Sequence, residues 1–143
     1  MSGDTTGGGL GRIAKNLKKF DPDFVLIELG GNDALRGYSI KLIKSNLEKM
    51  IALIKQNKSK VLLMQIRIPP NYGQKYMLAF EKIYKDLALS EEVYLMPFML
   101  EEIGINSDLM QPDGIHPNKK AQSLIAKDVK KNIDKFLLIN QSN

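Results

Sequence analysis

Two short polar segments carry the side chains best suited to proton and anion chemistry. In Gln111-Pro112-Asp113-Gly114-Ile115-His116-Pro117 the single histidine stands three residues after an aspartate, with a glycine between them. A turn at Asp113-Gly114 can fold the carboxylate onto the imidazole, fixing its tautomer and favouring the protonated ring during proton transfer. Asp113 and His116 are thus the candidate orienting group and general base of a hydrolytic triad, although Asp-Gly is also a plain turn signal. The second segment, Gly30-Gly31-Asn32-Asp33, offers the Asn32 amide and neighbouring backbone N–H groups to a developing oxyanion. Its alternative reading is a tight turn in which glycine supplies a positive φ. Gly3 and Asp4, with Thr5 and Thr6, form another candidate anion-binding loop, because exposed N–H groups gather at a helix start.

These groups need a scaffold, and hydrophobic periodicity supplies one. Leu10, Ile13, Ala14 and Leu17 recur at helical spacing behind the glycine-rich stretch Gly7 to Gly11 and stop before Asp21-Pro22. Phe24 to Leu29, FVLIEL, reads as a buried strand that empties into the Gly30 loop. Ile40, Ile43, Leu47, Met50, Ile51 and Ile54 mark one face of a long helix, with Lys41, Lys44, Glu48, Lys49 and Lys55 on the other positions. Val61 to Ile66 is a second apolar strand, and Pro69 to Gly73 a loop after it. A helix over about Lys75 to Leu89, a short strand Val93 to Met96, and a C-terminal helix complete the chain. That last helix is expected to face inward through Ala121, Leu124, Ile125, Val129, Ile133, Phe136 and Leu137. Uniformly apolar strands separated by helices point to α/β architecture with a parallel sheet covered on both faces. Ligands in such sheets sit beyond the carboxyl ends of the strands, which selects the loops Gly30 to Gly37, Ile68 to Gln74 and Pro97 to Pro117.

Composition narrows the chemistry further. At 143 residues the chain fits one domain, and its 43% hydrophobic and 26% charged residues describe a globular core. With no cysteine, thiolate catalysis and thiolate metal sites are excluded, and one histidine excludes a two-histidine metal motif. No metal or organic cofactor is expected. The N-terminus lacks the basic start and apolar stretch of a signal peptide, and no run is long enough to span a membrane. Gly7-Gly8-Gly9 follows no strand and lacks dinucleotide-fingerprint spacing. A net charge of +5, with lysines at 119, 120, 127, 130, 131 and 135, raises nucleic acid as a partner. These lysines read instead as a solvated helix face with no aromatic platform among them.

Four segments in order carry a family resemblance: Ser2-Gly3-Asp4-Thr5, VLIELGGND from Val25 to Asp33, LLMQIRIPPNYG from Leu62 to Gly73, and DGIHP from Asp113 to Pro117. Together they resemble the SGNH, or GDSL, serine hydrolases, and most of all the bacterial branch of multifunctional thioesterases, arylesterases and lysophospholipases. The resemblance implies a three-layer α/β/α, flavodoxin-like fold. It also implies His116 as general base, Asp113 as its orienting partner, and an oxyanion hole from the Gly3 N–H and the Asn32 amide. Such enzymes cleave acyl esters and thioesters through an acyl-enzyme and need no cofactor; relatives of this branch often work in the periplasm.

One part of the family pattern is not found. Its nucleophilic serine lies in a Gly-Asp-Ser-Leu block, and no Gly-Asp-Ser triplet occurs in these 143 residues. The sequence reads as a partial SGNH hydrolase domain, residues 1–143, without the first strand-helix-strand unit and inactive by itself. Ser2 corresponds to the serine of the second block. Ser39, Ser45, Ser59, Ser90, Ser123 and Ser142 fall near helix surfaces, helix ends or termini, and Ser107 has no strand-to-helix elbow to expose its hydroxyl. Without that unit the Phe24 strand is expected at a sheet edge, open to an N-terminal complementing segment or to self-association. A non-catalytic remnant and one half of a split hydrolase are the alternatives to an esterase. Tyr72, beside Gly73, is the candidate substrate contact. Met64, Met77, Met96, Phe98, Met99 and Met110 serve either an acyl site or the core.

Overall fold

A computed structural model describes residues 3–98, 103, 106–112 and 117–141. The element order is α1 (Thr6–Phe20), β1 (Phe24–Ile27), α2 (Gly31–Leu35), α3 (Ile40–Gln56), β2 (Lys60–Met64), α4 (Gln74–Ser90), β3 (Tyr94–Met96) and α5 (Gln122–Gln141), with short 3-10 turns at Pro70–Tyr72, Ser107–Leu109 and Lys119–Ala121. The chain divides into two compact units, Met1–Met96 and Pro97–Asn143.

In the first unit the described strands form one parallel sheet in the order β1-β2-β3, with Ile27 opposite Leu63 and Leu63 opposite Leu95. Side chains alternate across a strand, so this register assigns Val25, Ile27, Val61, Leu63 and Leu95 to one face. That face meets the buried stripe of α3 (Ile43, Leu47, Met50, Ile51, Ile54) and Phe80, Ile83, Tyr84 and Leu87 of α4, while Leu17 of α1 joins the same cluster. Each fully buried aliphatic or aromatic side chain here contributes about 1.5–3 kcal/mol relative to exposure. Leu62, Met64 and Met96 belong to the opposite face and are also buried. The α/β class with a small parallel sheet flanked by helices is thus the observed one.

Several boundaries differ from the sequence expectation, each for a local reason. α1 begins at Thr6, taking the glycine run into its first turns, because the Thr5 hydroxyl caps it by accepting from Gly8 N at 3.2 Å. Gly9 is buried where a Cβ would strike Leu29, with Met50 Sδ 3.2 Å away, so the glycine permits α1 to lie close to its neighbours. The helix stops at Asp21, which adopts φ 40 and sends its N–H back to Leu17 O, and Pro22 follows. β1 ends at Ile27, two residues early, and Leu29 O instead accepts from the buried Tyr84 hydroxyl at 2.8 Å. The supposed loop at Gly31 to Asp33 is the short helix α2, and the loop after β2 contains a 3-10 turn rather than only irregular chain.

In the second unit the inward stripe of α5 also differs. Leu124 and Leu137 are 44% and 37% exposed, whereas Asn132 and Phe136 are buried. Asn132 tolerates burial because its amide donates to Asp128 O at 2.9 Å, one turn back. The lysines at 119, 120, 127, 130, 131 and 135 are all exposed, and Lys130 pairs with Asp134 at 2.6 Å. No helix among the described residues is long and apolar enough to cross a membrane.

Candidate active site

The loops that follow β1 and β2 leave the same end of the sheet, because the two strands are parallel and in register. Gly30 turns the chain out of β1 with φ +116 and ψ −24, a conformation that L side chains rarely adopt. α2 then starts at once and carries Asn32 and Asp33 in its first turn.

Asn32 and Asp33 both reach back to the turn that precedes α1. The Asn32 amide donates from Nδ2 to Asp4 O at 3.0 Å. Asp33, fully buried, accepts from Thr6 N through Oδ2 at 2.8 Å and from the Thr6 hydroxyl through Oδ1 at 2.5 Å. Thr6 Oγ1 in turn accepts from Asn46 Nδ2 of α3 at 3.0 Å. Arg36 Nη2 donates to Gly3 O at 3.3 Å, and Gly3 itself has φ +78. Gly3 and Asn32 are thus brought to one junction through bonds to adjoining main-chain groups. One amide hydrogen of Asn32 is engaged by Asp4 O, and a primary amide carries a second.

Charge is fixed beside this junction. The Asp4 carboxylate pairs with the Arg12 guanidinium, chiefly by a side-chain hydrogen bond that holds the Asp4 carboxyl below its ordinary pKa and raises that of Arg12. On the other flank, burial pushes the Tyr84 phenol well above its usual value, and the charge of Asp33 adds to the effect. Tyr76 is raised for the same two reasons, desolvation first. Its hydroxyl donates to Tyr38 O at 2.6 Å, tying the segment after α2 to the start of α4.

Tyr72 is exposed at the end of the 3-10 turn before α4. Asp113 and His116 lie outside the described residues, as do Ser2 and Met99. Of the other serines, Ser39 caps α3 by accepting from Leu42 N at 3.2 Å, and buried Ser59 donates to Pro22 O at 2.7 Å. Both hydroxyls have structural work. Met64 and Met96 are wholly buried strand residues, and Met77 packs on the first unit's core. No group of three or more His, Asp or Glu side chains suited to a metal ion occurs among the described residues.

Sequence reasoning missed Arg36 and Asn46, and it placed Thr6 in the anion-binding loop and Asp33 in the glycine-led segment without the bonds that join them. A signal was present for Asn46: it shares the apolar stripe with Ile43, Leu47 and Met50, where an amide must find a buried partner.

A parallel α/β sheet with a polar, glycine-led loop bound to a second glycine turn beyond its strands defines a class that takes ligands at that end. The chain belongs to the GDSL-like Lipase/Acylhydrolase family, whose model matches residues 1–124. It is 50% identical over 137 residues to the arylesterase of Vibrio mimicus, covering 96% of this chain and 68% of that protein. It is 46% identical over 126 residues to thioesterase 1/protease 1/lysophospholipase L1 of Escherichia coli K12, covering 88% of this chain and 61% of that protein. Among solved structures, the psychrotrophic esterase EstA from Pseudoalteromonas sp., inhibited by monoethylphosphonate, superposes with a TM-score of 0.93 at 41% identity. That match covers 95% of this chain and 74% of EstA. The chain therefore spans roughly two thirds of the length of the curated relatives it matches.

Proposed function

We propose that residues 1–143 are part of an SGNH hydrolase domain that cleaves acyl esters or thioesters when a nucleophilic serine is supplied. Kinship with an arylesterase and a thioesterase supports the reaction class. The observation that carries the site is the junction of the Gly3 turn with Asn32, held by the 3.0 Å bond from the Asn32 amide to Asp4 O. In this reading the serine attacks the acyl carbonyl and His116 accepts its proton, oriented by Asp113. The Gly3 N–H and the second Asn32 amide hydrogen stabilise the tetrahedral oxyanion. His116 then returns the proton to the leaving group, water releases the acyl-enzyme, and Tyr72 contacts the substrate.

These 143 residues, containing no Gly-Asp-Ser triplet, do not carry out that covalent step alone. The test is labelling with a serine-directed phosphonate, followed by intact mass. The purified chain is expected to stay unlabelled, and to gain esterase activity when mixed with a segment carrying a Gly-Asp-Ser-Leu strand. Labelling abolished by replacing one internal serine would overturn the claim of inactivity. Mixing without any gain in activity would favour a non-catalytic remnant over one half of a split enzyme. The split reading draws support from β1 lying at the edge of the described sheet, where an added strand can pair.

A further inference from the structure

The buried polar side chains of the first unit include Thr6, Asp33 and Asn46, which form one connected set. Thr6 is its hub: the backbone N–H and the hydroxyl both donate to Asp33, and the same hydroxyl oxygen accepts from Asn46. A purely structural core would fill this space more cheaply with aliphatic groups, since removing any one partner leaves a buried donor or acceptor unsatisfied. The set adjoins, along the chain, the two groups assigned to the oxyanion. Thr6 lies two residues after Asp4, whose carbonyl receives the Asn32 amide, and Asp33 is the next residue after Asn32.

We propose that Thr6, Asp33 and Asn46 are positioning residues that set the separation between the Gly3 turn and the Asn32 amide. The logic is geometric. Asp33 spends both carboxylate oxygens on Thr6, so α2 and the first turn of α1 move as one piece. Asn46 ties that piece to α3, a 17-residue helix whose apolar stripe is fully embedded in the core. The placement of two anion-facing donors is thereby referred to a long helix buried in the core, as an electrostatically preorganised site requires. This inference rests on the oxyanion assignment above for its catalytic meaning, but its geometry is tested without nucleophile or substrate, so the two fail separately.

The experiment is NMR on the full 143-residue chain with Thr6→Val, Thr6→Ser and Asn46→Ala variants. It reads the Asn32 side-chain amide resonances together with backbone hydrogen exchange. Thr6→Val should shift the Asn32 Nδ2 proton pair and speed exchange at Thr6 N–H by roughly tenfold or more, while β2 and the middle of α3 keep their protection. Thr6→Ser, which keeps the hydroxyl, should restore the native Asn32 signals. Should Thr6→Val not fold, Asn46→Ala removes a single bond at the rim of the set and should move the same signals to a smaller extent. Native Asn32 resonances in a folded Thr6→Val or Asn46→Ala chain would overturn the proposal. So would loss of protection spread evenly over the unit, which is what a merely structural role produces.

Discussion

Replacing Gly30 by alanine isolates the backbone feature on which the site most depends. At φ +116 an L residue is strained by about 1–3 kcal/mol. The new Cβ would also collide with the Tyr84 hydroxyl, and would stand 3.4 Å from Tyr84 Cζ and 3.6 Å from Phe80 Cε2. Tyr84 cannot step aside, being fully buried with its ring edge-on to Phe80 at 5.4 Å between centroids. Overpacking of this kind costs about 1–3 kcal/mol, and losing the bond from Tyr84 to Leu29 O costs about 1 kcal/mol more. The expected destabilisation is about 3–7 kcal/mol, a large share of the roughly 5–15 kcal/mol that holds a domain together. It should appear as a fall in Tm of about 10–25 °C in thermal unfolding followed by circular dichroism. The double variant Gly30→Ala/Tyr84→Phe removes the obstructing oxygen and should recover at least about 1 kcal/mol against additivity. A Gly30→Ala chain within about 1 kcal/mol of the parent, or strictly additive energies in the cycle, would refute this account of the turn.

Three further outcomes follow from the same contacts. Ser39→Ala removes the α3 cap and should cost about 0.5–2 kcal/mol in urea unfolding, with no change in the slope against denaturant. Asp4→Asn should cost roughly 0.5 kcal/mol at pH 7, discounted because the Arg12 partner is 37% exposed. The folded-state pKa of Asp4 lies below its unfolded value, so its contribution is complete above the unfolded pKa. It is lost as pH falls through the folded one, and the two stability curves should converge in acid. Asn32→Ala, assayed after complementation with a nucleophile-bearing segment, should lower kcat by about 100–1000-fold with little change in KM.

The scaffold was legible where burial repeats regularly along the chain. VLLM is a continuous apolar run buried at all four residues, FVLI a partly buried one, and the Ile43-Leu47-Met50-Ile51-Ile54 stripe has the helical period. The start of α1 was not legible, because Gly7 to Gly9 have poor helix propensity, and the Thr5 cap together with the tertiary contact of Gly9 with Leu29 and Met50 explains them. α2 was hidden in a glycine-led segment that reads as a turn at any local scale. The candidate site was half legible: residue types and order single out Asn32 and the loop from Gly3 to Thr6, whereas Arg36 and Asn46 owe their places to partners far along the chain. Leu124 and Leu137 fail the other way, since seven apolar positions are a wider stripe than α5 buries.

That distance along the chain also explains why so polar a cluster is tolerated in the core. Its buried bonds join residues 27 and 40 positions apart, and with the part-buried Asn32–Asp4 and exposed Arg36–Gly3 bonds, 28 and 33 positions apart, they close the same excursion from the Gly3 turn through β1 and α2 to α3. The closure entropy of such a loop is met once, by packing Leu17 and its neighbours on the α3 stripe, and it grows only slowly with length. Each further hydrogen bond then forms between groups already held within reach, and contributes its net energy with little added ordering cost. The converse also holds: loosening the α1–α3 contact withdraws the shared closure from all five bonds at once. A Leu17→Ala substitution, a cavity remote from Asn32, should therefore weaken the hold on the Asn32 amide as well as the core.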